Sequence, residues 1–441
     1  MAKKPKSGNL KRNKPVNVEG ASLFTKSDTG ILAFLGLLSA LTLYITPWII
    51  PPDGTLYLSS AKSIFTPDMF AHYHWMREPL YPTFLKIFLL SNNLFFVMFM
   101  QSIFIGGTIF LIYKSFAFFF LFQTWQKYLA SFLSFIFIRG FATEILMQAL
   151  LLFIVALATY VNSRIVFYEK MNKRSNKKMF LAGSIIAVLA FSLQLLVGIS
   201  VLLVFIFILI KTKSSSSNHR FTTIMSTILI CMMCLGLWQN LKNRAIENGE
   251  LVFGSNSLAK FQFFESADPV KRQEQRIQAF TGTLGLAPER DAFISRPVGI
   301  SLREWAMPFF NNEVWNQNGE CGQYDSSHAE SILTYIAPMT KVKYCHTAGQ
   351  ITVSNFLSAV GIIIYPLFSL LMIAFIVLMI FSFELRLIAL FGISAFMLFE
   401  YSAVGQGHSR FGAPLFMVAP FLLMCILSKR KRLLENLWVK N

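Results

Sequence analysis

Four short polar strings stand at the edges of long apolar runs, and their residue types are those of proton transfer and anion binding. The first is Pro51-Pro52-Asp53-Gly54-Thr55-Leu56-Tyr57. A carboxylate placed immediately after an apolar run faces a low-dielectric boundary, and the rigid prolines orient it, so Asp53 can serve as a general base. It reads equally as a helix cap, accepting hydrogen bonds from free backbone N–H groups, and the two roles are compatible.

The second string, His72-Tyr73-His74-Trp75-Met76-Arg77-Glu78-Pro79-Leu80-Tyr81-Pro82, is the densest polar and aromatic cluster in the chain. Arg beside Glu and Pro at the start of an apolar stretch suits an anion site, because a guanidinium takes a phosphate bidentately. His72 and His74 with Asp53 could instead ligate a divalent metal, although a two-residue His spacing without further Cys or His is a weak signal. An interfacial aromatic belt accounts for Tyr73 and Trp75. The third string, Arg139-Gly140-Phe141-Ala142-Thr143-Glu144, puts a carboxylate where it must pair with Arg139 or point into a polar cavity. The fourth runs from Glu400 to Pro414 and contains Gly405-Gln406-Gly407-His408-Ser409-Arg410. Its glycines admit close backbone approach to a ligand, and His408 and Arg410 supply cationic donors.

The elements that position these strings follow from composition. Of 441 residues, 54% are hydrophobic and 14% charged, with mean hydropathy +0.54, against roughly 45–50% apolar and 25% charged in soluble domains. A bilayer-spanning helix takes about 20 apolar residues. The expectation is an all-α polytopic membrane protein of about ten transmembrane helices (range 8–12) with an extracytoplasmic lobe. A soluble enzyme and a nucleic-acid-binding domain are excluded. The 46 Phe lie within apolar runs and do not alternate with polar residues, which argues against an outer-membrane barrel.

The net charge of +18 is concentrated. Residues 1–29, 162–178, 211–220 and 429–441 carry +5, +5, +3 and +4. Segments so rich in Lys and Arg are retained in the cytoplasm. The division of the chain is then a basic cytoplasmic tail (1–29), an N-terminal transmembrane region (30–238) with a first outside loop at 51–93, an extracytoplasmic lobe (239–355), a C-terminal transmembrane region (356–428) and a second basic tail (429–441). Expected apolar runs are 30–50, 94–120, 128–140, 145–162, 179–193, 195–210, 222–238, 356–381, 386–403 and 412–428. Cys231, Cys234 and Cys425 fall inside such runs, whereas Cys321 and Cys345 share the lobe. On an oxidising face these two are expected to form a disulfide.

Taken in order, the strings resemble the type C glycosyltransferases of the bacterial protein-mannosyltransferase-like group, which includes the aminoarabinose transferases. The resemblance rests on Asp53 with Tyr57 and Ala61, on Arg77-Glu78-Pro79-Leu80-Tyr81-Pro82, on Thr143-Glu144, and on Ser409-Arg410-Phe411 with Pro414. It covers roughly 30–240 and 356–428, and leaves 239–355 unmatched. It implies an inverting transferase that takes a sugar from a polyprenyl-phosphate donor, with Asp53 activating the acceptor hydroxyl. Two positions depart from the pattern: Gly54 stands where many relatives carry a second acidic residue, and Gln194 where relatives often have a cation and a proline.

The expected function is transfer of a lipid-linked sugar to an extracytoplasmic lipid, glycan or protein acceptor, in a bacterial inner (plasma) membrane. Asp53 is the expected base. Arg77, Arg410, Tyr57, Tyr81 and His408 are expected to bind the donor, and Glu78, Glu144, His72 and His74 to line the site. Membrane lipids are the other expected partners, nucleic acid is not one, and no cofactor is implied beyond an optional divalent metal. The alternative is a transporter or lipid flippase using the boundary carboxylates as a proton relay. That function wants charges near the bilayer midplane, where these apolar runs are almost free of them.

Overall fold

The computed structural model describes residues 28–45, 52–66, 77–89, 94–143, 145–171, 177–212, 217–245, 269–284, 348–403 and 409–428. Among them all regular structure is helical. In chain order the helices are α1 (Thr29–Ile45), α2 (Pro52–Ser63), α3 (Leu80–Leu89), α4 (Leu94–Ala117), α5 (Thr124–Ile138), a 3-10 turn (Arg139–Ala142), α6 (Gln148–Lys170), α7 (Lys177–Leu193), α8 (Leu195–Lys211), α9 (Ser217–Ala245), α10 (Pro269–Thr283), α11 (Ala348–Ser382), α12 (Leu385–Ala403), α13 (Ser409–Phe416) and α14 (Ala419–Ser428).

Every expected apolar run carries a helix. Four described stretches are long and apolar enough to cross a membrane: Phe95–Ala117, Gln148–Lys170, Arg220–Leu237 and Leu385–Ser402. Others, including Thr29–Ile45, Lys178–Leu193 and Leu195–Lys211, are apolar but shorter, so four crossings are supported by length and the remainder of the expected ten are not. The chain is an integral membrane protein on the strength of these helices. Helix α6 continues eight residues beyond the run read as 145–162. The Arg164 guanidinium explains part of that extension, donating to the hydroxyls of Tyr160 and Tyr168 one turn to either side.

Burial ranks the helices. Of the membrane-length stretches, Gln148–Lys170 is 72% buried and Leu385–Ser402 67%, whereas Arg220–Leu237 is 11% buried. Helices α6 and α12 therefore form the centre, and α9 turns most of its surface outward. Helix α6 packs on α4, α7 and α12, and α12 packs also on α8 and α10. In a bilayer the approach of helices depends on close packing of small residues. At Gly183 of α7 any side chain would collide with the Phe205 ring of α8.

Buried polar groups tie the helices at their ends. Lys114, in the last turn of α4, pairs with Asp28 at the start of α1 at 2.9 Å, with both side chains almost fully enclosed. The Arg220 guanidinium donates to the carbonyls of Leu209, Ile210 and Thr212, which lie at the C-terminal end of α8, where the last carbonyls have no partner within the helix.

Candidate active site

Helices α2 and α3 pack on each other, and α3 packs on α4. Helix α2 begins at Pro52, where a missing N–H costs nothing because the first helical donors are unsatisfied anyway. Asp53 consequently occupies the second helical position, one residue past the start. Tyr57, Ser60, Ala61 and Ile64 are all buried. This spacing defines the inward face of α2, and position 53 falls on it one turn before Tyr57.

Arg77 and Glu78, just ahead of α3, are both buried. The Arg77 guanidinium carbon lies 4.7 Å from the Tyr57 ring centroid. A cation held over an aromatic face in a desolvated setting is stabilised by the ring quadrupole. The Tyr57 ring meets Tyr81 edge to face, with centroids 4.9 Å apart and planes at 87°. Tyr81 is 1% exposed, and its hydroxyl donates to Gln101 Oε1 of α4 at 2.7 Å. At the other end of the α2–α3 pair, Lys86 Nζ donates to the carbonyl of Ile64.

Gln101 connects this cluster to the third polar string. Its amide Nε2 donates to the carbonyls of Ala142 at 3.1 Å and Phe141 at 3.4 Å, both in the 3-10 turn that precedes Thr143. Arg139, the first residue of that turn, is buried.

The fourth string is anchored to the same region. Pro414 lies within α13, and the Val418 N–H turns back to Leu415. The Pro414 carbonyl instead accepts from Ser394 of α12 at 3.1 Å, and the Met417 carbonyl accepts from Ser134 of α5 at 2.9 Å. Phe416 packs against Phe137. Helix α13, which carries Arg410 in its first turn, is thereby fastened to α5, the helix that ends just before Arg139.

Of the expected site residues, the fold brings Tyr57, Arg77 and Tyr81 into contact, with Glu78 buried beside Arg77. It sets Asp53 on the same helix face as Tyr57 and Arg410 on α13, though the side chains of these two are not among those described. His72, His74, Glu144, His408, Cys321 and Cys345 lie outside the described residues. Among the described residues no group of three or more His, Cys, Asp or Glu could hold a metal.

Sequence reading missed two features. Gln101 is an amide inside an otherwise apolar run, and the cost of burying it without partners was the available signal. Glu400, near the end of α12, receives a hydrogen bond from the Ser200 hydroxyl of α8. The next residue, Tyr401, donates to Gln194 Oε1 at 2.6 Å. Gln194 is the single extended residue between α7 and α8, so the position that departs from the transferase pattern serves as a structural pivot.

No protein-family model matches the sequence, and no curated protein matches it. Among solved structures, a chain of the S. cerevisiae protein O-mannosyltransferase Pmt1-Pmt2 complex bound to the sugar donor is similar, at 14% sequence identity and a TM-score of 0.38. The match covers 57% of this chain and 38% of that one. The case for the site rests on the chain's own residues.

Proposed function

We infer that the chain is a membrane-embedded inverting glycosyltransferase that moves a sugar from a polyprenyl-phosphate donor to an extracytoplasmic lipid, glycan or protein acceptor. The observation that carries this reading is the buried Arg77 guanidinium over the Tyr57 ring, one helical turn from the position of Asp53. Displacement at a sugar phosphate requires a cation for the leaving phosphate and a base for the acceptor, and in this reading Arg77 is the first and Asp53 the second.

In the proposed step the acceptor O–H gives its proton to Asp53 as its oxygen attacks C1 of the sugar. The C1–O bond to phosphate breaks on the opposite face, and the polyprenyl phosphate leaves with the bonding pair. Arg77, with Arg410, stabilises the charge developing on that phosphate. Tyr57, Tyr81 and His408 contact the donor, while Glu78, Glu144, His72 and His74 line the site. The proton on Asp53 is lost to water before the next turnover.

The test is transfer by the purified protein in lipid nanodiscs supplied with polyprenyl-phosphate sugars, together with mass spectrometry of cell-surface glycans and lipids with and without the protein. Release of polyprenyl phosphate and loss of one surface sugar are expected. Absence of both, across donor sugars, overturns the reading.

A further inference from the structure

Helix α6 begins inside the protein. Ile145 to Leu150 are all buried, and Met147, at the cap position, supplies no side-chain hydrogen bond to the helix. The first N–H groups of a helix have no partner within it, so an enclosed start needs partners from elsewhere. Gln148, the first helical residue, is 4% exposed, and its Oε1 is enclosed with no hydrogen-bond partner among the described residues. Cα–Cβ bonds tilt toward the N-terminus of a helix, which aims this side chain past the end of α6. Asn162 Nδ2 and Ser163 Oγ are also buried without partners, but they lie about 21 Å further along the helix.

Two observations set Gln148 at the level of the candidate active site. Helices α4 and α6 run in the same direction, since Phe104 stacks on Phe153 near one end and Phe118 meets Phe167 near the other. Gln101 lies three residues before Phe104 and Gln148 five before Phe153, so the two amides stand within about 3 Å of the same depth. The elements around the Gln148 end of α6 also carry both cations assigned to the phosphate. Helix α3, which begins three residues after Arg77, packs on α4 and α7, the same two helices that flank α6. Helix α13, with Arg410 in its first turn, packs on α6 directly. Gln148 itself is turned about 140° around α6 from Phe153 and its stack on α4.

A phosphate calls for cations, but the sugar it carries is neutral and presents hydroxyls. An amide matches both halves of a hydroxyl: Oε1 accepts its proton, and Nε2 donates to its oxygen. Where a buried acceptor is satisfied by substrate alone, a sugar without the matching hydroxyl leaves it unpaired and is rejected. We propose that Gln148 receives a hydroxyl of the sugar on the polyprenyl-phosphate donor and thereby sets which sugar is accepted. The proposal rests on the transferase reading and adds to it the group that recognises the sugar.

Gln148→Met keeps the length of the side chain and removes both polar functions. Affinity is measured in nanodiscs for bare polyprenyl phosphate, for a panel of polyprenyl-phosphate hexoses and pentoses, and for monodeoxy analogues of the sugar that binds best. The variant should bind that sugar phosphate about tenfold less tightly than the parent, and bare polyprenyl phosphate equally. One monodeoxy analogue, the one lacking the hydroxyl that Gln148 receives, should be bound equally by variant and parent. Equal losses for every analogue, no loss for any, or a matching loss for bare polyprenyl phosphate overturns the proposal, as does a panel of which no member binds. Thermal unfolding of the protein without sugar phosphate separates recognition from a structural role. Replacing an enclosed, unpaired acceptor by an apolar group should leave the melting temperature unchanged or raise it, and a fall overturns the proposal. Transfer that proceeds without the coupling removes the Gln148 site and keeps the transferase reading, whereas coupling in a protein that transfers no sugar does the reverse.

Discussion

Tyr81 and Gln101, on different helices and 20 residues apart, share a 2.7 Å hydrogen bond that joins the second polar string to α4. Because the Gln101 amide also holds the Ala142 carbonyl, one buried side chain sets the spacing between the Arg77 cluster and the turn leading to Thr143. Tyr81→Phe removes the donor and keeps the ring. The expected cost is about 1 kcal/mol of stability, within the range for a hydrogen bond between membrane helices. Transfer should fall more than stability does. Thermal unfolding in detergent and turnover on the same preparation check this, and unchanged turnover would show that Gln101 does not position the site.

Asp53→Asn retains shape and length while removing proton-accepting power. Transfer should fall by about 10²–10⁴-fold, the usual contribution of a general base, with folding and donor affinity preserved. Full activity in a monodisperse Asp53→Asn protein would move the base to Glu78 or Glu144.

The Arg77 guanidinium lies over the Tyr57 ring, and a guanidinium also presents a fork of donors that an ammonium lacks, so charge alone should not replace it. Arg77→Lys should recover only part of the donor affinity lost in Arg77→Ala, because an ammonium neither stacks nor binds phosphate bidentately. The Ala variant should lose about 1.5–3 kcal/mol of donor binding. Titration with polyprenyl phosphate distinguishes the two, and unchanged affinity in the Ala variant would shift the phosphate to Arg410.

The buried pair Lys114–Asp28 predicts a strong asymmetry in stability. Lys114→Met alone leaves a buried carboxylate without its cation and should cost about 3–5 kcal/mol. Lys114→Met combined with Asp28→Leu should recover much of that loss. A double-mutant cycle on thermal unfolding measures the coupling, and additive losses would contradict it.

Cys231, Cys234 and Cys425 carry no disulfide. If Cys321 and Cys345 are bridged, denatured unreduced protein should alkylate at those three alone, and at all five after reduction. Alkylation of Cys321 and Cys345 before reduction would exclude the bridge.

The helices were legible in the sequence because a bilayer demands long apolar stretches, and each expected run carries helix, although the run 412–428 is divided between α13 and α14. Their ends were less so. Helix α6 outlasts its apolar run with Arg164 bonded to Tyr160 and Tyr168 along the extension, a local gain that hydropathy does not register. The residue types for acid–base and anion chemistry could also be read, since a carboxylate or guanidinium at a membrane boundary is costly enough to stand out. Which of them meet was decided by tertiary structure. The pairing of Arg77 with Tyr57, the role of Gln101 as connector and the bond from Ser200 to Glu400 join residues on different elements. Each depends on helix rotation and depth, which are set by packing against neighbours and leave no periodic trace in the chain.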